Sequence, residues 1–451
     1  MDNMMKMDRR TFACLGLLGV AAMGRSTLAH GSKPDGSGAA GDFELGDTWM
    51  EARSGDIPVF FDNADAEFQF LRVVGLANAG GAALGECITI VRELGAPTAA
   101  IKPSLDSYFE NYVAMARLWT PAWARLGARV EAWAGQAAAQ AADLSTRDAY
   151  LRATTYYRAA EFFTADPLAP EARALNEAGA RCFTAAGQRL AGGFEAISVP
   201  YGDKDLPGYV ITPGKSDKPR PTILMFTGFD GSAEEMFLWA GAAALERGYN
   251  VAVVDGPGHR GALYRHPELV FRPDYDVPVR AMVDYLVQRG DVDEKRIVLC
   301  SISFGGGLSA RAAAALDDRL AAYITYPPMI DNAEAFAEAI SPEIAHIRTN
   351  PHSAWVTGAA TLGDLVDVMS QYNFRADAKH IKTPTLVLLS DGEGAMYARH
   401  ARDFYDDLAG PKHIHTFTVS EGAAMHCSFN NLPRLHQVMF AWLNETLGRH
   451  T

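Results

Sequence analysis

A serine, a histidine and two acidic residues stand where nucleophilic catalysis would use them. Ser303 lies in the run S-I-S-F-G, Ser301 to Gly305, between the apolar "RIVLC" and the alanine-rich "GGLSARAAAA". The first reads as a strand and the second as a helix, so Ser303 occupies a strand-to-helix corner. The run is a variant of the G-x-S-x-G turn with Ser301 at the first glycine position. Small residues two before and two after the serine are needed there because the strand and helix backbones approach closely. Such a corner exposes the hydroxyl and aims the Phe304 N–H and the helix start at any developing negative charge. A serine hydroxyl needs a general base, and the base needs an orienting acid. His426, in the small-residue loop "EGAAMHCSFNNLP", fits the base. The acid belongs after the strand "TPTLVLL", in "SDGEG". Aspartate is the commoner residue at such a position, which favours Asp391, whereas the spacing favours Glu393. Glu393 is preferred and Asp391 kept as the alternative. A second backbone donor is expected from Phe229 in "FTGFDGSAEE", where Gly228 lets the chain turn.

Other chemistry-bearing residues read as structural. Asp230, Glu234 and Glu235 precede or open a helix starting near Ser232, and the two glutamates are expected to charge its N-terminus. His259 in "DGPGHRG" reads as a turn or pocket-rim residue. His413 and His415 would share a strand face, but no third ligand is spaced to join them, so no metal site is expected. The triple glycine Gly305 to Gly307 lacks the lysine and spacing of a phosphate loop. No cofactor is required. The five cysteines, Cys14, Cys87, Cys182, Cys300 and Cys427, are scattered; the last four are expected as buried free thiols.

The elements that must position these residues fall into two regions. From about Trp49 to Leu190 the pattern is helical, with apolar residues at three- and four-residue intervals. "LSTRDAY" marks one helix start, with Ser145 or Thr146 as the cap. Near Phe194 the texture changes: "FEAISVPYGDKDLPGYVIT" reads as a hairpin. Short apolar strands then alternate with helices, which implies a mostly parallel, doubly wound sheet covered on both faces. The expected organisation is a flexible Gly/Ser/Pro-rich linker over residues 30–47, a helical N-terminal domain over 48–193 and a catalytic domain over 194–451. A helical lid is inserted at about 330–380. Tyr156, Tyr157 and Phe162 could line a pocket under the helical domain, with core as the commoner fate of such residues.

The chain has 451 residues and a net charge of -13, which argues against nucleic acid or an anionic membrane as the main partner. Its N-terminus, "MDRRTFACLGLLGVAAMGRSTLAHG", pairs Arg9 and Arg10 ahead of an apolar run from Ala13 to Met23 and small residues ending at Ala29. This resembles a twin-arginine export signal over residues 1–29, although Asp8 and Arg25 depart from the usual pattern. The run is well short of the ~20 apolar residues of a membrane span. The expected location is therefore periplasmic or secreted. The expected partners are a small-molecule substrate and the twin-arginine export machinery, with a homodimer allowed for and no stable membrane anchor.

"GFDGSAEE", "RGYNVAVVDGPGHRG", "SISFGG" and "HCSFNN" together resemble the α/β-hydrolases that carry an N-terminal helical domain. That group includes 2,6-dihydropseudooxynicotine hydrolase and fungal hydrolases that shorten polyketide pigment precursors. The resemblance implies an α/β-hydrolase fold and a Ser-His-acid triad using Ser303 and His426. It also implies either ester hydrolysis or cleavage of a C–C bond beside a ketone, as in a β-diketone. A non-catalytic hydrolase fold used for binding would have lost a triad position, and here all three are filled.

Overall fold

The computed structural model describes residues 59–101, 107–214 and 218–448. The expected export signal at 1–29 and linker at 30–47 lie outside the described residues.

Five helices come first: α1 Ala64–Gly75, α2 Leu84–Ala99, α3 Tyr108–Ala139, α4 Asp143–Phe162 and α5 Pro170–Gly187. α1 starts at Asn63, whose side chain accepts from the Ala66 N–H, and Asp65 and Glu67 occupy its first turn. The Glu67 carboxylate also accepts from the backbone N–H groups of Val59, Phe60 and Phe61, folding the incoming chain back onto the helix. α3 and α4 pack along each other through Trp119, Trp123, Tyr112 and Tyr156, all buried. Two α3 side chains satisfy carbonyls near the end of α4: Trp119 Nε1 donates to Ala159 O at 2.8 Å and Tyr112 Oη to Phe162 O at 2.9 Å.

The start of α4 differs from the sequence expectation. The helix begins at Asp143, and neither Ser145 nor Thr146 caps it. Ala141 takes a left-handed conformation (φ 54°) that reverses the chain directly out of α3, so the helix starts before either hydroxyl is reached. Thr146 Oγ1 instead donates to the Ala142 carbonyl inside the first turn.

The sheet comprises β1 Gly193–Tyr201, β2 Lys204–Thr212, β3 Arg220–Phe226, β4 Asn250–Val254, β5 Val292–Ile302, β6 Ala322–Tyr326, β7 Thr385–Ser390 and β8 Lys412–Phe417. Their spatial order is β1-β2-β4-β3-β5-β6-β7-β8. The hairpin β1–β2 is antiparallel, β2 also pairs antiparallel with β4, and every pairing from β4 to β8 is parallel. The mostly parallel sheet read from the alternation is present. Alternate residues of one strand enter different cores: Ile223 and Met225 face one cluster, Leu224 and Phe226 the other. Both faces of these strands are covered, which is why they read as unbroken apolar runs. The chain leaves β3 towards β4 on one side and reaches β5 on the other. The strand order therefore reverses beside β5, the place where ligands bind in open α/β sheets. Helices Asn332–Ala339, Pro351–Thr357 and Leu362–Met369 are inserted between β6 and β7.

Several histidines are buried without charge. Burial pushes His259 and His352 down to about 3 and His436 down to about 4. In the unfolded chain each would take up a proton below about 6.5, while in the folded chain each resists it. Their contribution to stability is therefore present above pH ~6.5 and lost as pH falls, down to ~4 for His436 and ~3 for His259 and His352, at about 1.4 kcal/mol per pH unit for each. Asp255, pushed up to about 8 by burial and the Glu234 charge, works in the opposite sense, but the histidines outnumber it. Urea unfolding followed across this range should show the midpoint falling steeply below pH ~6.5; a midpoint flat across it would contradict buried neutral imidazoles.

Candidate active site

Ser303 stands between the last residue of β5 and the helix Phe304–Ala315, with φ 57° and ψ −133°. A non-glycine residue at positive φ is uncommon and costs energy, so the neighbouring packing must enforce it. The Ser303 N–H donates to Tyr326 O at 2.7 Å, tying the corner to the end of β6. Gly305 lets the helix start lie on the end of β3, because a Cβ there would collide with the Thr227 carbonyl oxygen. Gly228 does the same from the other side: a Cβ at that position would stand 2.6 Å from Ser303 Cβ. Ser301, at the first glycine position of the motif, turns its hydroxyl inward to Ser309, whose own hydroxyl meets Tyr323 Oη at 2.8 Å. A buried hydroxyl at that place is thus satisfied.

Ser303, His426 and Glu393 form one hydrogen-bonded chain. His426 Nε2 lies 2.9 Å from Ser303 Oγ, and His426 Nδ1 lies 2.6 Å from Glu393 Oε2. With a carboxylate accepting at Nδ1, the network assigns the proton to Nδ1 and leaves Nε2 to accept from the serine. Glu393 is fully buried, and its other oxygen accepts from Ser390 Oγ at 2.9 Å and the Cys427 N–H at 3.4 Å. The loop that carries His426 is itself bent sharply, with Cys427 (φ 55°) and Ser428 (φ 48°) both left-handed. Trp239 Nε1 donates to Cys427 O at 3.0 Å, and the Ser428 hydroxyl meets Tyr326 Oη at 2.5 Å. Asp391 is not part of this chain. Its carboxylate accepts from the Val419 N–H at 3.0 Å, joining the ends of the loops after β7 and β8.

Phe304 opens its helix, and its N–H and that of Phe229 are not taken by a protein acceptor among the described residues. The two rings meet edge to face at 5.4 Å. The turn at Phe229–Asp230 is anchored from outside: His352 Nε2 reaches Phe229 O at 3.3 Å, and Arg158 Nη2 and Arg260 Nη1 donate to Asp230 O, the former at 3.2 Å. Arg72 Nη1 meets Asp230 Oδ1 at 2.7 Å, and the rest of its guanidinium pairs with Glu235. Burial alone would raise the Asp230 carboxyl; Arg72, Arg158 and Arg260 overcome that and hold it well below the usual carboxylate range. Glu235 Nα is capped by Ser232, and Glu234 accepts from Tyr209 Oη at 2.7 Å. His259 is buried in its turn, its Nδ1 accepting from the Gly256 N–H at 3.1 Å.

A recess opens on Ser303 and His426. Phe68, Phe229 and Phe429 give it an apolar side, and Arg72 and Asp230 a charged one. Phe68 and Arg72 come from α1 and were not singled out from the sequence. Their signal was present: they are four apart, so they share one face of the helix, and an arginine amid "FQFLRVV" asks for a buried partner. Tyr156, Tyr157 and Phe162 are buried in the core and do not line this recess.

A serine at the end of a central parallel strand, hydrogen-bonded to a histidine from the last loop, on a sheet of this order, defines an α/β-hydrolase. Sequence comparison agrees: residues 105–340 match the family described as "Esterase FrsA-like", and the chain belongs to it. Residues 235–450 also match the prolyl oligopeptidase family. The chain is 29% identical to "Hydrolase LUC6" of Fusarium sp, over 86% of its own length and 98% of that protein's. To "20-hydroxy-prefusarin hydrolase FUS2" of Gibberella moniliformis it is 28% identical, covering 84% and 96%. To "Hydrolase pyiE" of Pyricularia grisea it is 30% identical, covering 73% and 70%. Among solved structures, the 2,6-dihydroxy-pseudo-oxynicotine hydrolase shares its fold with a TM-score of 0.61 at 21% identity, covering 84% of this chain and 97% of that one.

The close approach at Gly228 yields a direct test. Gly228→Ala pushes a methyl group against Ser303 Cβ and should displace either the turn or the serine. A displacement near 1 Å is expected to cost about 100-fold in the reactivity of Ser303, read as the rate of labelling by a fluorophosphonate. An unchanged rate would show that the two loops are not in the contact described.

Proposed function

We propose that this hydrolase is a serine enzyme acting on an apolar substrate that carries an ester or a ketone. Ser303 is the nucleophile, His426 the general base and then acid, and Glu393 the residue that orients His426. The observation that carries this reading is the unbroken hydrogen-bonded chain from Ser303 through His426 to the buried Glu393. In ester cleavage, Ser303 Oγ bonds to the carbonyl carbon while its proton passes to His426 Nε2. The oxyanion is met by the Phe229 and Phe304 N–H groups. The C–O bond then breaks, the alcohol leaves with the proton held by His426, and an acyl group remains on Ser303. Water, deprotonated by the same imidazole, hydrolyses it and restores the serine. None of these steps needs a cofactor.

A second reading is hydrolysis of a C–C bond beside a ketone with the same triad. There the group that leaves is an enolate, protonated by His426. The relative named for 20-hydroxy-prefusarin supports testing substrates other than simple esters. Turnover of a β-diketone in preference to nitrophenyl esters would decide for this version.

Fluorophosphonate labelling tests the reading common to both. Label should be lost in Ser303→Ala and sharply reduced in His426→Ala; label surviving Ser303→Ala would overturn the assignment. Glu393→Gln should lower turnover by about 1,000-fold or more, as loss of an orienting acid does in triads, while Asp391→Asn leaves it near wild type. The reverse pattern would make Asp391 the acid.

Export rests on the residues of the N-terminus. Residues 1–29 are read as a twin-arginine signal on the strength of Arg9, Arg10 and the short apolar run that follows. Fused ahead of a folded fluorescent reporter in a bacterium with that machinery, they should carry it to the periplasm, and Arg9→Lys with Arg10→Lys should block this. Export that survives the double change would remove the assignment.

A further inference from the structure

The turn proposed to supply an oxyanion donor is held by charge from a distant part of the chain. Its own residues do little to fix it: Gly228 and Gly231 flank Phe229–Asp230, and a Cβ at Gly231 would collide with Thr227 Oγ1. What fixes it are groups outside the turn. The Phe229 carbonyl accepts from His352, on the insertion between β6 and β7. The Asp230 carbonyl accepts from Arg158, on α4, and from Arg260, just after β4. A peptide carbonyl gripped by two guanidiniums cannot rotate freely; the Asp230–Gly231 peptide that carries it joins the Gly228–Phe229 amide through one intervening peptide, whose Phe229 carbonyl His352 holds.

Arg158 is the member of this set with the least structural reason to be charged. Arg260 pairs with Glu161, and both side chains are almost wholly buried. Arg72 pairs with Asp230 and Glu235. Removing either would leave a buried acid without its cation. Arg158 lies 3.4 Å from Glu235, an acid that Arg72 already engages. Burial and the neighbouring guanidiniums of Arg72 and Arg260 push Arg158 down to about 10, so the cluster resists its charge. Its ring neighbour Phe162 lies 5.2 Å away and could be served by any long apolar side chain. An apolar substitute would forfeit the 3.4 Å bond to Gln69 Oε1, the 3.4 Å contact with Glu235 and the 3.2 Å bond to the Asp230 carbonyl, and of these only the last holds the backbone of the turn.

We propose that Arg158 is a positioning residue for the oxyanion turn, through which the N-terminal helices set the reactivity of Ser303. This rests on the reading of Ser303 as nucleophile and of the Phe229 N–H as an oxyanion donor. The role differs from that of a pocket wall: Arg158 does not line the recess at Ser303, so its loss should touch the reaction step and spare binding.

The test uses the full chain and a fluorophosphonate, which develops negative charge on its phosphoryl oxygen as Ser303 displaces fluoride. The labelling rate is resolved into a maximal rate and a half-saturation concentration. Arg158→Met should lower the maximal rate about 10- to 100-fold while the half-saturation concentration stays within about twofold. Arg158→Lys keeps the charge but offers a single point of contact, and should fall between Met and wild type. Arg152→Met, on the same helix but paired with Glu86, should match wild type. A maximal rate unchanged in Arg158→Met overturns the proposal. So does a loss confined to half-saturation, or an equal loss in Arg152→Met. If Arg158→Met shows no cooperative urea transition, Arg158→Lys decides: an intermediate rate supports the proposal and a wild-type rate overturns it. Wild-type protein that takes no label contradicts the nucleophile assignment itself, a failure distinct from any of these.

Discussion

The backbone at Ser303 is the constraint on which the site depends. A positive φ at a residue with a side chain costs about 1–3 kcal/mol and persists only when the surroundings over-determine it. Here they do. The helix that follows lies directly on the ends of β3 and β6 through Gly305, Gly306 and Gly307, each facing a backbone carbonyl. The Ser303 N–H is bound to the last residue of β6. The strain therefore rests on three adjacent strands, β3, β5 and β6, that cannot move independently because both faces of the sheet are buried. The His426 loop repeats the pattern, with two left-handed residues held by Trp239 and Tyr326.

Charge joins the N-terminal helices to this corner. Arg72 and Arg158 from the helices, and Arg260 from the sheet side, meet Glu161, Asp230 and Glu235 at low exposure. Taking so many charges out of water is costly, and pairs of this kind add little net stability beyond an apolar contact. They add directionality. An apolar interface tolerates sliding, whereas a guanidinium held by a carboxylate and a carbonyl fixes position to within hydrogen-bonding distance. Phe162 beneath Arg158 and Arg260, at 5.2 and 5.8 Å, keeps the guanidinium planes in place. The same helices bring Phe68 and Arg72 to the recess itself, so they form part of the site and do more than cover it.

Much of this was legible in the residues, and the misses have two causes. The alternation of strands and helices, the hairpin at β1–β2 and the corner at Ser303 all follow from short-range pattern. The cap of α4 was misread because a left-handed Ala141, which no motif announces, started the helix early. The contribution of α1 was missed because its partners lie far along the chain, Arg72 and Glu235 being 163 positions apart. Of the two acids after β7, spacing favoured Glu393 and residue type favoured Asp391, with Glu393 preferred. Only the fold sends one to His426 and the other to the Val419 N–H.

The sequence by itself therefore determined the class of fold and the corner that presents a serine. Backbone preference, side-chain periodicity and the need for glycine at a close approach are properties of a few consecutive residues. The tertiary structure decided which carboxylate meets the histidine, which helix walls the recess and what anchors the turn at Phe229. Those outcomes depend on where separate elements come to rest against one another, and a difference of one or two ångströms in packing, invisible in the order of residues, decides which side chains come within hydrogen-bonding reach.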